Sequence, residues 1–348
     1  MHKFLSLALI FSLFAGSAVA QSAAKPEKAA PVAAAATPAA SDELVAMLPA
    51  SELVAVVDTG RVFNDLLPKL AGLNFGGVDE FAKDLSEFIQ KTGIDPKRVQ
   101  SAVLGVNLEG TQGNGVFLVK GLDLTPAQIE AAMKELKAEF KTSEYKSKTV
   151  YQVISKVSAP SAGPLSIKSD ELALAPLGGQ RLAFGDMTAV KKAIDIQAGG
   201  DVPAVSKAMI GALAETRQSA LIRFAMNVPE NLRTQAADQG DLFKSIASIK
   251  LILGTLDTAA DLSLSLDAVM RTASQSDAGE LESSLKGLLV LVKGIFGGGS
   301  GDPKTNFIGT LLDQIKIGSK LSDVSLSISI PRSVMDQLSR KPAPAEKK

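Results

Sequence analysis

The chain has 348 residues, with 37 Lys and Arg, 37 Asp and Glu, one His, no Cys and no Trp. That length is enough for about two ordinary domains, and an apolar share of 46% is that of a globular protein. The one histidine, His2, lies in a predicted signal peptide. The mature chain would therefore lack the residues for disulfides, thiol or His-dependent catalysis, ordinary zinc sites and haem. Zero net charge also argues against nucleic acid as a partner.

The first residues have the pattern of a bacterial signal peptide. A charged start, Met1-His2-Lys3, precedes the apolar run Phe4–Ala15, and Ala18-Val19-Ala20 is a small-x-small cleavage site. An apolar run of about 12 residues is too short to cross a bilayer core of about 30 Å as a helix, which disfavours an uncleaved anchor. The pattern predicts cleavage between Ala20 and Gln21 and a mature chain in the periplasm or the medium.

Composition divides the rest of the chain. Residues 21–40 are rich in Ala and Pro, and residues 341–348 are similar, so both are predicted to be disordered. The segment between them alternates strand-like and helix-like patterns. The predicted organisation is a signal peptide at 1–20, a tether at 21–40, a first α+β unit at 41–200, a second α+β unit at 201–340 and a tail at 341–348.

Apolar patterns predict the elements of the first unit. The run Glu52–Asp58 is apolar on both faces, which is typical of a central strand, and a helix with apolar residues over 78–89 is expected to end at Gly93. Thr125 begins a capping box for a second helix, whose apolar face is predicted to extend to Phe140. The other predicted elements are strands at 99–108, 115–119 and 148–154, a hairpin at 172–184 and a short helix capped by Asp186.

The second unit follows the same order with little residue identity. Its predicted elements are strands at 220–228, 249–256 and 262–269, a helix at 281–296, a hairpin at 315–330 and a helix at 333–339. We interpret the two halves as diverged copies of a β-α-β-β-α-β-β-α unit near 44–200 and 216–340. The predicted fold class is α+β, with mostly antiparallel sheets, helices on one face and a cleft between the units where a ligand could bind.

Two short blocks carry a resemblance. Leu48-Pro49 with the following Leu53–Asp58, and then Thr92–Pro96, resemble a loose group of secreted bacterial proteins of unknown function. The resemblance covers mainly residues 44–200 and more faintly 216–340. It implies a signal peptide and a duplicated α+β body. It implies no activity, so no functional residue is carried over.

Without His and Cys, a Ser-Lys hydrolase is the main nucleophilic scheme open to the chain, because a Lys of lowered pKa can accept the Ser proton. Two Ser-x-x-Lys matches occur: Ser143 with Lys146, and Ser283 with Lys286. Lys91-Thr92-Gly93 resembles a further β-lactamase element, but it precedes both serines, the reverse of the order in those enzymes. We therefore predict no catalytic residue.

Two other patterns bear on ligand binding. Glu80, Asp84 and Glu87 recur at helical spacing and could bind a cation or serve glycoside hydrolysis, but a solvated helix face explains them better. The glycine-rich segment 297–301 follows a helix, whereas a phosphate-binding loop precedes one, so a flexible connection is favoured. We predict no metal or cofactor site.

The most apolar stretch of the mature chain is Leu288–Phe296. It is too short to span a membrane and contains Lys293. A buried core helix is the favoured interpretation, and weak membrane or lipid contact through Leu285–Phe296 is the alternative.

These observations favour a non-enzymatic binding or structural factor of the cell envelope whose partner is an unidentified envelope ligand or protein. An envelope lipid carrier or sensor is the first alternative. A His-free Ser-Lys hydrolase is the second.

Overall fold

The computed structural model describes residues 40–71, 78–108, 114–154, 172–238, 240–296 and 309–334. Their strands form one antiparallel sheet of 12 strands, in the order β11-β12-β10-β9-β8-β1-β2-β3-β7-β6-β5-β4. The strands are β1 Leu53–Val57, β2 Ser101–Asn107, β3 Asn114–Lys120, β4 Phe140–Tyr145, β5 Lys148–Val153, β6 Leu172–Gly178, β7 Arg181–Asp186, β8 Ile222–Asn227, β9 Leu251–Thr258, β10 Leu264–Arg271, β11 Lys316–Lys320 and β12 Asp323–Ile330.

Helices connect and cover these strands. The α-helices are α1 Ala40–Val45, α2 Thr59–Arg61, α3 Leu67–Ala71, α4 Val78–Thr92, α5 Pro126–Glu135, α6 Met187–Gln197, α7 Lys207–Glu215, α8 Glu230–Asp238, α9 Asp241–Lys244 and α10 Gln275–Phe296. A π-helical turn, Val62–Leu66, joins α2 to α3. The α+β fold class and the antiparallel pairing are confirmed.

The two predicted units meet inside the sheet. Strand β1 pairs with β2 on one side and with β8 on the other, and Val54 lies opposite Ala225 in the second pair. Val54, Val56 and Val57 are all buried, as expected for a central strand. The predicted cleft between the units is therefore wrong at the level of the sheet, because backbone hydrogen bonds join the two halves there.

One side of the sheet, which we call the Val54 face, is covered by α1, α6 and α7. Leu44, Leu48, Val190 and Met209 are buried against this side in one core with Val54. Small residues let these elements approach closely. A Cβ at Gly105 would stand 2.6 Å from Ser51 Oγ and 3.1 Å from Leu48 Cδ2.

The opposite side, which we call the Leu53 face, carries α5 and α10. Ile129 and Met133 of α5 pack against Tyr151 and Val153, and α10 packs over β10 and β12. The prediction of helices on one face is therefore wrong. Strand β2 shows the reason, because every residue of it except the last is buried. Successive residues of a strand point to opposite faces, so helices must cover both faces of the sheet.

The two halves share much of their strand order but differ in one hairpin. Among the described residues, four strands, β4 to β7, lie between α5 and α6, whereas two strands, β11 and β12, follow α10. The duplication thus remains a prediction. Phe140 belongs to β4 rather than to the preceding helix, because α5 ends at Glu135 and Lys137 adopts a positive φ of 53°.

Several predicted helix ends are confirmed. The Thr125 side chain accepts a hydrogen bond from the Gln128 backbone N–H, and the Gln128 side chain accepts one from the Thr125 N–H. Gly93 ends α4 with a φ of 68°, a conformation that glycine adopts without steric cost. The Asp186 carboxylate accepts from the N–H groups of the first turn of α6.

Candidate apolar contact surface

Helix α10 is anchored through its first half. The sequence predicts a start at residue 281, but the helix begins at Gln275 and has 22 residues. Ala278 and Leu281 are fully buried, at 0% exposure. They pack in one cluster with Met270 of β10 and Val324 of β12, so this end of the helix is part of the core.

The packing changes beyond Gly287. Val290, Leu291 and Ile295 are 70%, 56% and 64% exposed, and we call these three side chains the apolar patch. The favoured prediction that Leu288–Phe296 is a buried core helix is wrong, because none of residues 288–295 is fully buried. The physical reason is visible in the sequence: residues 288–292 are apolar on every side of the helix, and a helix on a sheet can bury only one side.

The patch is a side surface of the last two turns. Leu291 and Ile295 are four residues apart, so they are neighbours on the helix surface. Gly287 and Gly294 lie on the same side, and a Cβ added at either would have no atom within 4 Å. The other strongly exposed large apolar residues in the described part of the chain, Ile154, Ile210, Leu232 and Leu321, occur singly.

Two lysines border the patch, and each is paired with an acid. Lys286 Nζ lies 2.6 Å from Glu282 Oε1, and Lys293 Nζ lies 2.8 Å from Asp313 Oδ1. Hydrogen bonds from Lys286 and then Ser319 lower the pKa of Glu282. Glu282 therefore stays ionised at neutral pH, and its ion pair with Lys286 persists there.

The first Ser-Lys pair does not form a nucleophile with its base. Ser143 is exposed on β4, one of the two end strands of the described sheet. Lys146 Nζ lies 2.7 Å from Asp195 Oδ1, and this hydrogen bond raises the pKa of Lys146. A lysine that accepts a serine proton needs a lowered pKa, so the environment of Lys146 acts in the wrong direction.

The second pair is also placed unfavourably. The Ser283 hydroxyl donates to the Gly279 carbonyl at 2.8 Å within the exposed surface of α10. Lys286 is occupied by Glu282, as described above. Lys91-Thr92-Gly93 forms the end of α4, where the Thr92 hydroxyl donates to the Phe88 carbonyl and Lys91 Nζ contacts Glu135 at 2.8 Å.

The remaining predicted positions give no site. Asp84 and Glu87 lie on α4, and the side chain of Glu80 lies outside the described residues. Within the described ranges, no three His, Cys, Asp or Glu side chains come together as metal ligands would. The predicted cleavage residues Ala20 and Gln21 and the glycine-rich segment 297–301 also lie outside the described residues. No helix among the described residues has the length and apolar character needed to cross a bilayer.

Comparisons with known proteins give only a distant structural likeness. No protein-family model and no curated protein matches the chain. Crystal form I of the protein TP0453 is similar over 84% of this chain and 95% of that chain, with 7% identity and a TM-score of 0.43. Crystal form III of the same protein is similar over 85% of this chain and 98% of that chain, with 8% identity and a TM-score of 0.44.

Proposed function

We propose that the mature chain is a non-enzymatic binding protein of the bacterial cell envelope, and that it contacts envelope lipid through the apolar patch of α10. The observation that carries the proposal is the exposure of Val290, Leu291 and Ile295 side by side on two helical turns. Contiguous exposed apolar surface is unfavourable in water and often marks a contact site.

The size of the patch sets the strength of the contact. Burying one such side chain completely is worth about 1.5–3 kcal/mol. Scaled by the exposed fractions, the three side chains together offer about 3–6 kcal/mol. That range corresponds to weak and reversible association, on the order of millimolar affinity at its middle, and not to a permanent anchor.

The location in the envelope is supported by the amino-terminal sequence. We expect the exported protein to begin at Gln21, and the intact mass of the protein purified from the periplasm or the medium measures this directly. A mass that includes residues 1–20 would contradict the proposed processing. A lipid-sized adduct in the same native spectrum would support lipid contact.

Vesicle flotation tests the lipid contact. The mature chain is expected to float with lipid vesicles in a density gradient. The triple variant Val290→Ser, Leu291→Ser, Ile295→Ser is expected to lose about nine-tenths or more of the bound fraction, because each substitution removes a large share of the apolar area of the patch.

A matched control is the double variant Leu321→Ser, Ile210→Ser. Leu321 and Ile210 are 69% and 40% exposed and lie on the β11–β12 turn and on α7, away from the patch. Unchanged flotation of this variant, beside loss in the triple variant, is the expected result. Flotation that survives the triple variant, or that is absent in the parent chain, would contradict the proposal.

A further inference from the structure

The charges around the patch indicate which kind of lipid surface it fits. Lys286 and Lys293 are seven residues apart, so they lie on the same side of α10 and flank Val290. Within the segment 287–295, Lys293 is the only charged residue. Free lysines at the edge of an apolar helix surface would draw the helix to anionic lipid.

Each lysine is paired with an acidic side chain of the protein. Lys286 pairs with Glu282 one turn before it on the same helix, and Lys293 pairs with Asp313 in the helical turn 309–313. The border of the patch that carries the two lysines therefore has balanced charge. The whole chain is balanced as well, with 37 basic and 37 acidic residues, so no long-range field favours an anionic surface.

We infer that the apolar patch binds the acyl region of a bilayer surface independently of the charge of the lipid headgroups, so that zwitterionic bilayers are a sufficient partner. This inference rests on the proposed function and specifies its lipid class. The attraction comes from burial of Val290, Leu291 and Ile295, and the paired lysines add no net charge to it.

A second copy of the chain fits the patch less well. A stable protein interface buries about 800 Å² on each partner, and three partly exposed aliphatic side chains offer much less than that. A fluid bilayer needs no matching shape and can cover a small convex surface. The size of the patch therefore favours lipid over self-association.

The experiment compares flotation of the full mature chain with vesicles of phosphatidylcholine alone and with vesicles that also contain phosphatidylglycerol. We expect the bound fractions to be equal within about twofold and unchanged between low and high salt, because screening weakens only charge-dependent binding. Binding that requires phosphatidylglycerol, or that salt abolishes, would overturn the inference and leave the proposed lipid contact standing. If the chain binds neither kind of vesicle, the inference and the proposed lipid contact are both overturned.

A variant without the acidic partners of the two lysines gives a second test of the inference. The double variant Glu282→Gln, Asp313→Asn removes both acids, and the amide oxygen that replaces the Glu282 carboxylate can still accept the hydrogen bond from Ser319. A free lysine near an anionic surface is worth about 1 kcal/mol, which is about fivefold in binding. We expect this variant to gain roughly fivefold or more on phosphatidylglycerol vesicles at low salt, with no gain on phosphatidylcholine.

The control variant for this gain is Glu135→Gln. It removes the acid that faces Lys91 at 2.8 Å in a similarly exposed pair on α4 and α5, away from the patch. Unchanged binding is expected. A gain equal to that of the double variant would mean that net charge alone controls the affinity, which would contradict a role for the two lysines beside the patch. Thermal unfolding of each variant confirms that it is folded.

Discussion

At the scale of single residues, Asp195 joins the β4–β5 hairpin to helix α6. The Tyr145 hydroxyl donates to the two carboxylate oxygens of Asp195 at 3.0 Å, and Lys146 Nζ lies 2.7 Å from Oδ1. The hydrogen bond from Lys146 is the main cause that lowers the pKa of Asp195 from its ordinary value of 3.8. Lys191 adds a cation–π contact, with its Nζ 5.4 Å from the Tyr145 ring centre.

This lowered pKa gives a stability effect with a definite sign. The ionised Asp195 carboxylate is more stable in the folded chain than in the unfolded chain. Its contribution to the stability of the fold is therefore present above pH 3.8 and is lost as the pH falls through the pKa of the folded chain. We expect Asp195→Asn to lower the Tm by roughly 2–4 °C at neutral pH and to have little effect in strong acid. Thermal unfolding followed by circular dichroism across this pH range measures the difference.

Asp267 provides a control with the opposite sign. Burial, and to a lesser degree the charge of Asp257, raises the pKa of Asp267, although Arg217 acts against this shift. The ionised form is therefore disfavoured in the folded chain, and stability is lost as the pH rises through the folded pKa. Asp267→Asn is expected to raise the Tm at neutral pH. A fall in Tm at neutral pH for both variants would show that loss of local packing, and not charge, dominates at these positions.

At the scale of elements, helix ends that depend on neighbouring residues can be predicted from the sequence more fully than packing between distant segments. The Thr125 capping box and the Asp186 cap were predictable because each depends on residues within one helical turn. Phe140 continues the apolar spacing of α5 by chance, so the spacing gave no sign of the turn at Lys137. The exposed half of α10 was predictable only in part: the sequence shows an apolar helix, but only the packing shows which turns the sheet leaves uncovered.

Two lysines on the edge strand β11 oppose pairing of this strand between copies of the chain. Lys316 and Lys320 are exposed at its two ends, and among the described strands β11 pairs only with β12. The other edge of such a strand can pair with a second chain. Antiparallel pairing of two copies through Gly318 would place Lys316 of each copy opposite Lys320 of the other. Like charges directly opposite each other are unfavourable by roughly 0.2–1 kcal/mol for each pair.

We therefore expect Lys316→Thr with Lys320→Thr to increase dimer formation severalfold, because it removes this repulsion and adds residues that favour strands. Sedimentation velocity over a range of concentrations measures it. The variant Lys316→Arg with Lys320→Arg keeps the charges and should remain like the parent. If it associates as strongly as the Thr variant, the charges do not protect this edge.

At the scale of the whole molecule, the pairing of β1 with β8 decides how the halves behave. The sequence predicts two units with the same order of strands and helices, but nothing local in either unit indicates that their first strands pair with each other. The pairing joins five residues of β1 to five of β8, and the core on the Val54 face contains Val54 and Val103 from one half with Ala225 and Leu253 from the other.

A shared sheet and a shared core predict that the halves unfold together. The chain has no Trp, and its two tyrosines, Tyr145 and Tyr151, both lie in the first half. Tyrosine fluorescence therefore reports the first half alone, whereas far-ultraviolet circular dichroism reports all of the secondary structure. We expect the two signals to give the same midpoint in urea. Ala225→Asp places a charge in the shared core. It should lower the free energy of unfolding by about 3–5 kcal/mol and move both midpoints together to lower urea concentration. Separate midpoints in the parent chain, or a shift confined to one signal in the variant, would show that each half folds as an independent unit despite the pairing of β1 with β8.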